Sequence, residues 1–534
     1  MLQRNVRRAL PLFILTLLAL WPGPGHTQQR GGTLVFTVPA SDFPSMDGHQ
    51  ENTFATLHPT APHYSLLIRA DPTDRTALRL EGDAAASWTV NSDGTLYRFK
   101  LRPGIRFHDG SPLTAQDVVA SYEHILHPPP GVASPRRAYY TMVESVSAEG
   151  DAIVVFKLKF PTSAFLPALA QPFNYLYSAA RLRQDPNWYK THIMGSGPFL
   201  FKSEQRGSNW IGVRNEHYFK KGLPYLDGYE AIFTPKENIE IEALRGGRSM
   251  IQFRGFPPAA RDLLKASLGD KIVVQESTWN CALYAIPNSF KKPFDDIRVR
   301  QALNLAVDRW GGSKLLSEIS ISKTVGAYGF PGHPLSMTDE ELEQLPGYWR
   351  DAEKSRREAR RLLNEAGVPE GFSFKLTNRN TDQPYKFVAT YLIDQWRRVG
   401  LNVDQDVLPT APYFEALNED PPRFDVVLDF NCGAVVNPAL DVQQFISKDR
   451  TDGNHGHYID RKLDRLFEEQ LHEPDFAKQK RIFNRFERYL NDQALYLTTL
   501  WYNRITLQSS SVQGWTISPS HYLNQQLEAV WLKR

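Results

Sequence analysis

The sequence predicts a protein of the α/β class, because short β-rich segments alternate with amphipathic helical ones along most of its length. At 534 residues the chain is long enough for about three to four units of ordinary domain size, so a large core divided into lobes is expected. Lys and Arg number 62 against 59 Asp and Glu, a formal net charge of +3, and both signs are spread without a basic block. This balance argues against a nucleic-acid partner.

The N-terminus has the pattern of a secretory signal peptide, which we predict over residues 1–28. Arg4, Arg7 and Arg8 precede thirteen mostly apolar residues, 9–21, and small and helix-breaking residues follow. A membrane anchor is the alternative, but a span needs about 20 apolar residues. The two adjacent arginines also leave a twin-arginine export route open beside the general secretory route. No cysteine lies near the cleavage region, so we expect a soluble periplasmic protein and not a lipoprotein.

Strands dominate the first half of the mature chain. A loop rich in Pro and His is predicted over 39–63, between two of them. A turn is expected at Asp109 and Gly110, after which Thr114 caps a helix that Pro128 stops. The strands predicted in this half are 33–38, 96–101, 153–160 and 211–213.

Helices dominate the second half, where an acidic cap or a terminating glycine marks their ends. Asp295 or Asp296 is expected to cap the first helix, and Gly367 and Gly400 end two others. One buried strand, 424–430, lies among them. The helices predicted here extend from the Asp295–Asp296 pair to residue 307, and over 351–366, 385–399, 460–471 and 474–490.

Motifs for enzyme chemistry or metal binding are weak. The sequence contains no HExxH zinc helix and no GxSxG nucleophile elbow. Glycine spacing at 207–212 is that of a phosphate loop, but Val213 and Arg214 follow where Lys and Ser or Thr are required. Four histidines could hold a metal, although a solvated loop is the simpler interpretation of the last two: His58, His63, His455 and His457. We therefore assign no catalytic residue and no metal ligand.

Five segments along the chain resemble one protein family. The longest, 88–122, reads WTVNSDGTLYRFKLRPGIRFHDGSPLTAQDVVASY; the others are GSGPF at 195–199, PYLDG at 224–228, PFDDIRVRQAL at 293–303 and EAGVPEGF at 365–372. In this order they are similar to the bacterial extracellular solute-binding proteins of family 5, the oligopeptide-, dipeptide- and nickel-binding periplasmic proteins of ABC importers. The longest segment is physically a strand, a tight turn and a capped helix, so it says little about the ligand.

The resemblance implies a bilobed periplasmic-binding-protein fold of type II, the large three-subdomain variety, in which two hinge-joined lobes close over a ligand. By position, lobe I is expected to comprise 31–58, 190–283 and 505–534. The inserted subdomain of lobe I is expected over 59–189, and lobe II over 284–504.

The resemblance also implies a function. We expect the chain to capture a peptide or peptide-like small molecule and to deliver it to ABC permease subunits at the inner membrane. A monomer without a cofactor is expected, performing no chemistry on the ligand. A metal-chelate or haem carrier is one alternative, because some members of the family carry nickel or haem. A secreted hydrolase is a more distant alternative.

The chain has two cysteines, Cys281 and Cys432. In an oxidising compartment an even pair suggests a disulfide, and two separate buried thiols are the alternative. The resemblance implies the disulfide, because oligopeptide-binding members carry one at matching positions. Closing a loop of about 150 residues is worth ~4–5 kcal/mol in the chain-entropy model.

The resemblance places ligand contacts on the strand that contains Cys432, where this chain departs from the family. Peptide-binding members have an aspartate four residues before a proline, and its carboxylate pairs with the ammonium group of the peptide. Here the proline is Pro438, and Ala434 stands in place of the aspartate. Losing one partner of a buried charge pair costs about 2–5 kcal/mol, enough to weaken binding of a free amine strongly. Asp429 or Asp441 could substitute, or each could be a turn or rim residue.

Arg379 occupies the position where dipeptide-binding relatives place an arginine for the peptide carboxylate. A guanidinium suits a carboxylate bidentately, and a surface arginine in a polar loop is the alternative. A retained arginine and a missing aspartate together suggest an acidic ligand without an obligatory free amine. Aromatic residues are also candidates for the cleft lining, with a core role as the alternative. The ligand-binding residues predicted are Phe43, Tyr284, Arg379, Asp429, Phe430, Asn431, Cys432, Gly433, Ala434 and Tyr502.

Overall fold

The computed structural model of the protein describes residues 28–534, so the predicted signal peptide lies outside the described residues except for Gln28. Within that range no helix combines the length and apolar character needed to cross a membrane.

The predicted α/β class is confirmed. The strands are β1 (Thr33–Val38), β2 (Ile68–Ala70), β3 (Leu80–Gly82), β4 (Ala85–Val90), β5 (Leu96–Leu101), β6 (Val143–Glu149), β7 (Ile153–Leu158), β8 (Phe199–Gln205), β9 (Asn209–Arg214), β10 (Gly228–Phe233), β11 (Ile251–Gln252), β12 (Ile272–Pro287), β13 (Ser322–Thr324), β14 (Ser373–Arg379), β15 (Asn402–Leu408), β16 (Val426–Cys432), β17 (Leu497–Ser509), β18 (Val512–Gln513) and β19 (Trp531–Leu532). The helices are α1 (Phe54–Thr60), α2 (Ala115–Leu126), α3 (Phe165–Leu169), α4 (Ala179–Gln184), α5 (Glu237–Arg245), α6 (Pro258–Leu268), α7 (Ile297–Ala306), α8 (Arg309–Ile319), α9 (Asp339–Leu342), α10 (Ala352–Glu365), α11 (Phe387–Arg397), α12 (Thr410–Asn418), α13 (Pro438–Asp441), α14 (Arg461–Leu471) and α15 (Phe476–Gln493).

A sheet of eleven strands extends through the molecule, and its centre is the pair of long antiparallel strands β12 and β17. They pair from Ile272 opposite Ser509 to Ala285 opposite Leu497. On one side of the pair lie β11, β1, β10, β9 and β8, here called the first half-sheet. On the other side lie β16, β14 and β15, the second half-sheet. The eleventh strand, β13, pairs with β17. The two long strands therefore join the half-sheets, and β4, β5, β7 and β6 form a separate four-stranded sheet.

Helices begin and end where the sequence indicates. Asp296 and Asp351 each accept a backbone hydrogen bond in the first turn, and α7 and α10 begin there. The backbone N–H of Thr114 donates to Asp117 Oδ2 at 2.8 Å, which completes half of a capping box at the start of α2. Gly367 follows α10 with a φ of 73°, a left-handed conformation that glycine adopts without a steric penalty.

Two local predictions are wrong. The loop expected over 39–63 contains α1, whose first turn donates a backbone hydrogen bond of 3.2 Å to the Thr53 hydroxyl. Pro59 obscures this helix, because a proline in a helix interior usually breaks it. The strand expected over 424–430 lies two residues later, as β16, because its register is set by pairing with β12.

The predicted disulfide between Cys281 and Cys432 is confirmed. The two cysteines lie directly opposite each other on β12 and β16, with Cα atoms 4.1 Å apart. Since one partner belongs to a long central strand and the other to the second half-sheet, the disulfide fixes the end of β16 against β12. The predicted ligand contacts 429–434 lie on either side of this bond.

Buried side chains form a large continuous core that extends from the four-stranded sheet through β12, β16 and β17 to helices α7, α10 and α11. A smaller core covers the first half-sheet and includes Phe36, Trp210 and Tyr229. The four-stranded sheet thus packs against the elements around the second half-sheet, and the cavity described next lies where the connection between α2 and β6 meets the end of β16.

Candidate ligand-binding cleft

A cavity of about 850 Å³ lies between the end of β16 and the segment that connects α2 to β6. Its wall includes the predicted ligand contacts Asp429, Phe430 and Asn431. On the facing side the wall is polar and aromatic, with Tyr139 and Asn52 among its residues. A space of this size and mixed character suits a small organic ligand.

Asp429 is buried, and its carboxylate already has two partners. Oδ2 lies 2.6 Å from His455 Nδ1, and Oδ1 accepts a hydrogen bond of 3.1 Å from the Tyr413 hydroxyl. Burial lowers the pKa of His455, but the charge and hydrogen bond of Asp429 outweigh it and raise the pKa above its ordinary value. Asp429 therefore stands at the cavity as half of an ion pair and not as a free carboxylate.

Asp441 is the second buried carboxyl group on the cavity wall. Its Oδ2 accepts a hydrogen bond of 3.0 Å from Asn280 Nδ2, and burial raises its pKa to about 7. A Cβ at Gly433 would collide with both of these side chains, so glycine is required there. The sequence-based alternative of a turn or rim residue is wrong for Asp441, because its side chain is buried on α13.

The remaining predicted residues near the disulfide differ in what they offer a ligand. The Gly433 N–H donates to Asn280 O at 2.8 Å, and its carbonyl accepts from Ser520 Oγ at 3.1 Å, so its backbone is engaged. Cys432 has its sulfur in the disulfide. Ala434 is half-buried and offers only a methyl group at the place of the family's aspartate.

Of the four predicted aromatic residues, Phe430 lines the cavity and the other three are buried elsewhere. Phe43 packs in the smaller core, 5.4 Å from the ring centroid of Trp210, so its predicted place in the cleft is wrong. Tyr284 is 1% exposed and packs edge-on at 5.4 Å from Phe445, which again is a core position and a correction of the prediction. Tyr502 is buried on β17, where the half-sheets meet.

Arg379 lies at the end of β14 and is half-buried. Its Nε donates a hydrogen bond of 2.9 Å to Thr410 Oγ1, and its guanidinium lies 5.7 Å from the ring centroid of Phe414. Burial raises the pKa of Tyr385, and the charges of Arg379 and Arg254 oppose that shift, so both arginines lie near one hydroxyl. Tyr385 packs 6.3 Å from Phe430, which lines the cavity, whereas Arg379 is not itself one of the lining residues.

Arg254 is a residue that sequence reasoning missed. It follows β11 in the first half-sheet, and its guanidinium lies 5.1 Å from the ring centroid of Phe54 and 5.5 Å from that of Trp279. No motif points to it, because an arginine after a short strand is an ordinary surface pattern. The sequence likewise does not indicate that His455 pairs with Asp429.

The histidines considered as metal ligands are separated from one another. His63 Nδ1 lies 2.8 Å from Phe199 O, and burial lowers its pKa to about 3. His58 Nε2 lies 2.9 Å from His521 O, and His457 Nε2 lies 2.8 Å from Leu417 O. The solvated loop expected for His457 is wrong, because that ring is buried. In the part of the chain whose side chains the structure describes, no three His, Cys, Asp or Glu residues are grouped so as to hold a metal ion.

Comparison with known proteins gives a consistent family. The model of the bacterial extracellular solute-binding proteins, family 5 (middle), matches residues 79–451. The probable di/tripeptide-binding protein 5 of Pseudomonas aeruginosa is 26% identical over 488 residues, covering 84% of this chain and 86% of that protein. The glutathione-binding protein GsiB of Pectobacterium atrosepticum is 28% identical over 366 residues, covering 68% of this chain and 67% of that protein.

A solved structure has the same fold. The ABC transporter-associated periplasmic binding protein DppA of Helicobacter pylori, in complex with the peptide STSA, superimposes with a TM-score of 0.78. It is 22% identical, and the match covers 95% of this chain and 99% of that one. The bilobed periplasmic-binding-protein fold predicted from the sequence is confirmed, with β12 and β17 joining its two half-sheets.

Proposed function

We propose that this chain, which belongs to family 5 of the bacterial extracellular solute-binding proteins, is the solute-binding component of an ABC importer. It captures a peptide or peptide-like molecule that carries an acidic group and presents it to permease subunits at the inner membrane. It acts as an exported periplasmic monomer, not a lipoprotein, and performs no chemistry on the ligand. Lobe I comprises 31–58, 190–283 and 505–534 with the inserted subdomain 59–189, and lobe II comprises 284–504.

The observation that carries the proposal is the cavity of about 850 Å³ at the end of β16, in a fold whose halves are joined by two long strands. Motion about such a strand pair is the hinge closure by which two lobes enclose a small molecule. Peptide-type ligands are supported by two relatives, one a probable di/tripeptide-binding protein and one a glutathione-binding protein.

The surroundings of the cavity support a ligand without an obligatory free amine. Ala434 supplies no charge where the peptide-binding members have an aspartate. Asp429 is already paired with His455, and Asp441 accepts from Asn280 and has a pKa of about 7. Asp429 is therefore not a free counter-ion for an ammonium group, and Asp441 is only partly ionised at neutral pH. Arg379 remains available to an acidic group beside Phe430.

The proposal predicts which small acids the mature protein binds. Isothermal titration calorimetry with N-acetyl-Glu-Glu, free Glu-Glu and N-acetyl-Gln-Gln is the measurement. We expect the two acidic compounds to bind with affinities within about threefold of each other. The neutral compound should bind at least tenfold more weakly, because it loses the charge-assisted hydrogen bonds to arginine, which are worth about 1.5–3 kcal/mol. Tight binding of free-amino dipeptides together with no binding of the N-acetylated one would contradict the proposal.

Two variants at residue 434 test whether the missing aspartate removes the preference for a free amine. Ala434→Asp restores the family's carboxylate and is expected to favour free Glu-Glu over its N-acetylated form by at least tenfold, whereas Ala434→Asn, matched in size, is expected to leave the ratio unchanged. Hemin, titrated by absorbance, tests the alternative of a haem carrier: saturable binding that survives in Ala434→Asp would favour that alternative.

A further inference from the structure

Two neighbouring arginines, Arg254 after β11 and Arg504 on the central strand β17, have no negatively charged partner among the described side chains. Arg504, on β17, is fully buried, and its guanidinium donates only to backbone carbonyls, including Arg254 O at 2.9 Å and Ser518 O at 2.7 Å. Arg254 is half-buried, and its Nε is shielded from solvent without a hydrogen-bond partner among the described residues. Among the side chains that the structure describes, no carboxylate lies within 4.0 Å of either guanidinium. Two like charges thus stand next to each other in the interior.

The other groups around Arg254 add no negative charge. Glu240 is the acid that interacts with it, and burial raises the pKa of Glu240 to about 8, so this carboxyl is mostly protonated at neutral pH. Burial lowers the pKa of His58 to about 3, with the charges of Arg504 and Arg254 acting in the same direction, so the imidazole is neutral. The aromatic faces of Phe54 and Trp279 attract the guanidinium only weakly compared with an anion.

Uncompensated buried charges are costly, so a folded protein normally pairs them. When a buried polar atom has no partner in the protein, a water molecule, an ion or a ligand group can supply one, and of these only an anion also supplies the missing negative charge. The burial of Arg254 and Arg504 also lowers the pKa of both, which is the expected sign of missing counter-charge. The site therefore lacks negative charge that something outside the described chain must supply.

The position of Arg254 indicates where that charge enters. Besides burial, the positive charge of Arg379, at the end of β14, lowers the pKa of Arg254, and Tyr522 raises it. The Tyr522 hydroxyl donates to Asn52 O at 3.2 Å, and Asn52 lies on the wall of the 850 Å³ cavity. Arg254 packs 5.1 Å from the ring centroid of Phe54, two residues along the chain from Asn52, and Arg379 lies near Tyr385, whose ring is 6.3 Å from Phe430 on the wall. Each arginine therefore stands close behind residues that line the cavity.

We propose that Arg254 and Arg379 form a two-sided anion subsite next to the cavity, with Arg504 as a fixed positive charge behind it, and that the ligand is a diacid. Arg254 presents its planar fork to an acidic group of the ligand, and Arg379 meets a second acidic group from the other half-sheet. One acidic group would leave the three arginines strongly positive, whereas two bring the site close to charge balance. This subsite deepens the proposed function and rests on it.

The test compares Arg254→Gln with the wild-type protein. Binding of N-acetyl-Glu-Glu, measured by calorimetry, is expected to weaken about 10- to 100-fold, because a charge-assisted fork is lost. Arg254→Lys is expected to recover only part of this loss, because an ammonium lacks the fork. Arg261→Gln is the matched control, since Arg261 is on nearby α6 and already has Asp262 and Glu276 as partners. Binding by Arg254→Gln within twofold of wild type would overturn the subsite.

Thermal unfolding without ligand distinguishes a binding role from a structural one. Because removing Arg254 relieves the repulsion with Arg504, we expect the Tm of ligand-free Arg254→Gln to equal or exceed that of wild type. If Arg254 were only a packing residue on Phe54 and Trp279, its loss would lower Tm, and that result would overturn the proposal.

A third measurement does not depend on the ligand class. Sodium sulfate, compared with sodium chloride at equal ionic strength, is expected to raise the Tm of wild type more than that of Arg254→Gln. If wild type binds none of the dipeptide probes, the proposed ligand class fails, yet this sulfate difference still supports the anion subsite. Equal sulfate effects on both proteins would overturn the subsite even if the dipeptides bind.

Discussion

Two clusters of buried charge in this protein are built in opposite ways. In the first, Arg69 Nη2 lies 2.6 Å from Glu528 Oε1, and Lys220 Nζ lies 2.9 Å from the same oxygen. Glu81 and Asp83 supply further carboxylates at 2.7 Å from Arg69 and Lys220. In the second cluster, Arg254 and Arg504 stand together and the described residues provide no ionised carboxylate within 4.0 Å of either.

The difference separates a structural role from a binding role. Buried charges that pair with each other inside the protein fix its elements and leave nothing for a ligand, and breaking such a pair is costly. Buried charges left unpaired reduce stability, so their retention is explained by a partner that binds later. The first cluster ties the C-terminal segment at Glu528 to β2 at Arg69, whereas in the second Arg254 packs over Phe54, two residues along the chain from Asn52 on the cavity wall.

The largest effect is expected from breaking the paired cluster. Glu528→Gln removes the carboxylate that Arg69 and Lys220 share, and we expect a loss of about 3 kcal/mol in the free energy of unfolding. The value lies at the low end for a buried pair because each cation keeps a second carboxylate. Urea denaturation measures it. Glu149→Gln, in an exposed pair with Arg98, is the control and is expected to cost less than ~1 kcal/mol.

The same change also predicts a pH dependence. Burial alone would raise the pKa of Glu528, but the charges of Arg69 and Lys220 outweigh it and hold the pKa well below its ordinary value. A carboxyl with a depressed pKa contributes stability above its unfolded-state pKa and loses it as the pH falls. The difference between wild type and Glu528→Gln should therefore shrink below about pH 4. A difference that stays constant down to about pH 2 would contradict the ion-pair explanation.

A smaller effect is expected from Glu240, the acid beside the unpaired cluster. Its folded-state pKa is about 8 against an ordinary 4.5, so between these values the folded protein holds a proton that the unfolded chain has released. Stability consequently falls as the pH rises through this window. Glu240→Gln should flatten the fall by ~2 kcal/mol between about pH 5 and pH 8 in urea titrations. Glu242→Gln, an exposed residue of the same helix paired with Arg245, should not.

Ionisation of Glu240 would supply the negative charge that Arg254 lacks. We therefore expect ionised Glu240 to compete with an acidic ligand for Arg254. Gln252 donates to Glu240 at 3.1 Å, and Glu237 is the like charge that raises its pKa further. Above about pH 8 the binding of N-acetyl-Glu-Glu to wild type should weaken, and Glu240→Gln should lose this pH dependence. An unchanged pH profile in the variant would mean that Glu240 does not compete with the ligand.

Much of the fold could be predicted from the sequence because its signals are local. Asp296 and Asp351 cap helices through contacts within one turn, and Gly367 ends a helix by its own backbone conformation. The strand that became β16 was displaced by two residues, because register depends on a partner strand far away in the chain. Helix α1 was missed because Pro59 is a strong local signal that tertiary packing overrides.

The candidate site was harder to predict, because it depends on which side chains meet. The family resemblance located 429–431, which line the cavity, but aromatic residue type alone could not distinguish Phe43 in the core from Phe430 on the wall. Arg254 carries no sequence signal at all. What makes it unusual is the lack of a counter-charge, and that lack is a property of the folded neighbourhood rather than of any segment.

The smallest effect is expected from the Asp429–His455 pair, which is balanced like the first cluster but stands on the cavity wall. Because the folded-state pKa of His455 is raised, the pair contributes stability that is fully present below about pH 6.5 and is lost as the pH rises through the folded-state pKa. Asp429→Asn should therefore cost ~1 kcal/mol near pH 6 and less near pH 8, while the amide oxygen of the variant can still accept from Tyr413. NMR titration of His455 should show its pKa falling below the ordinary value in the variant, because burial then acts alone. If the pKa of His455 stayed raised in Asp429→Asn, the charge on Asp429 would not be the cause of the shift. Asp429 would then not be half of an ion pair on the cavity wall.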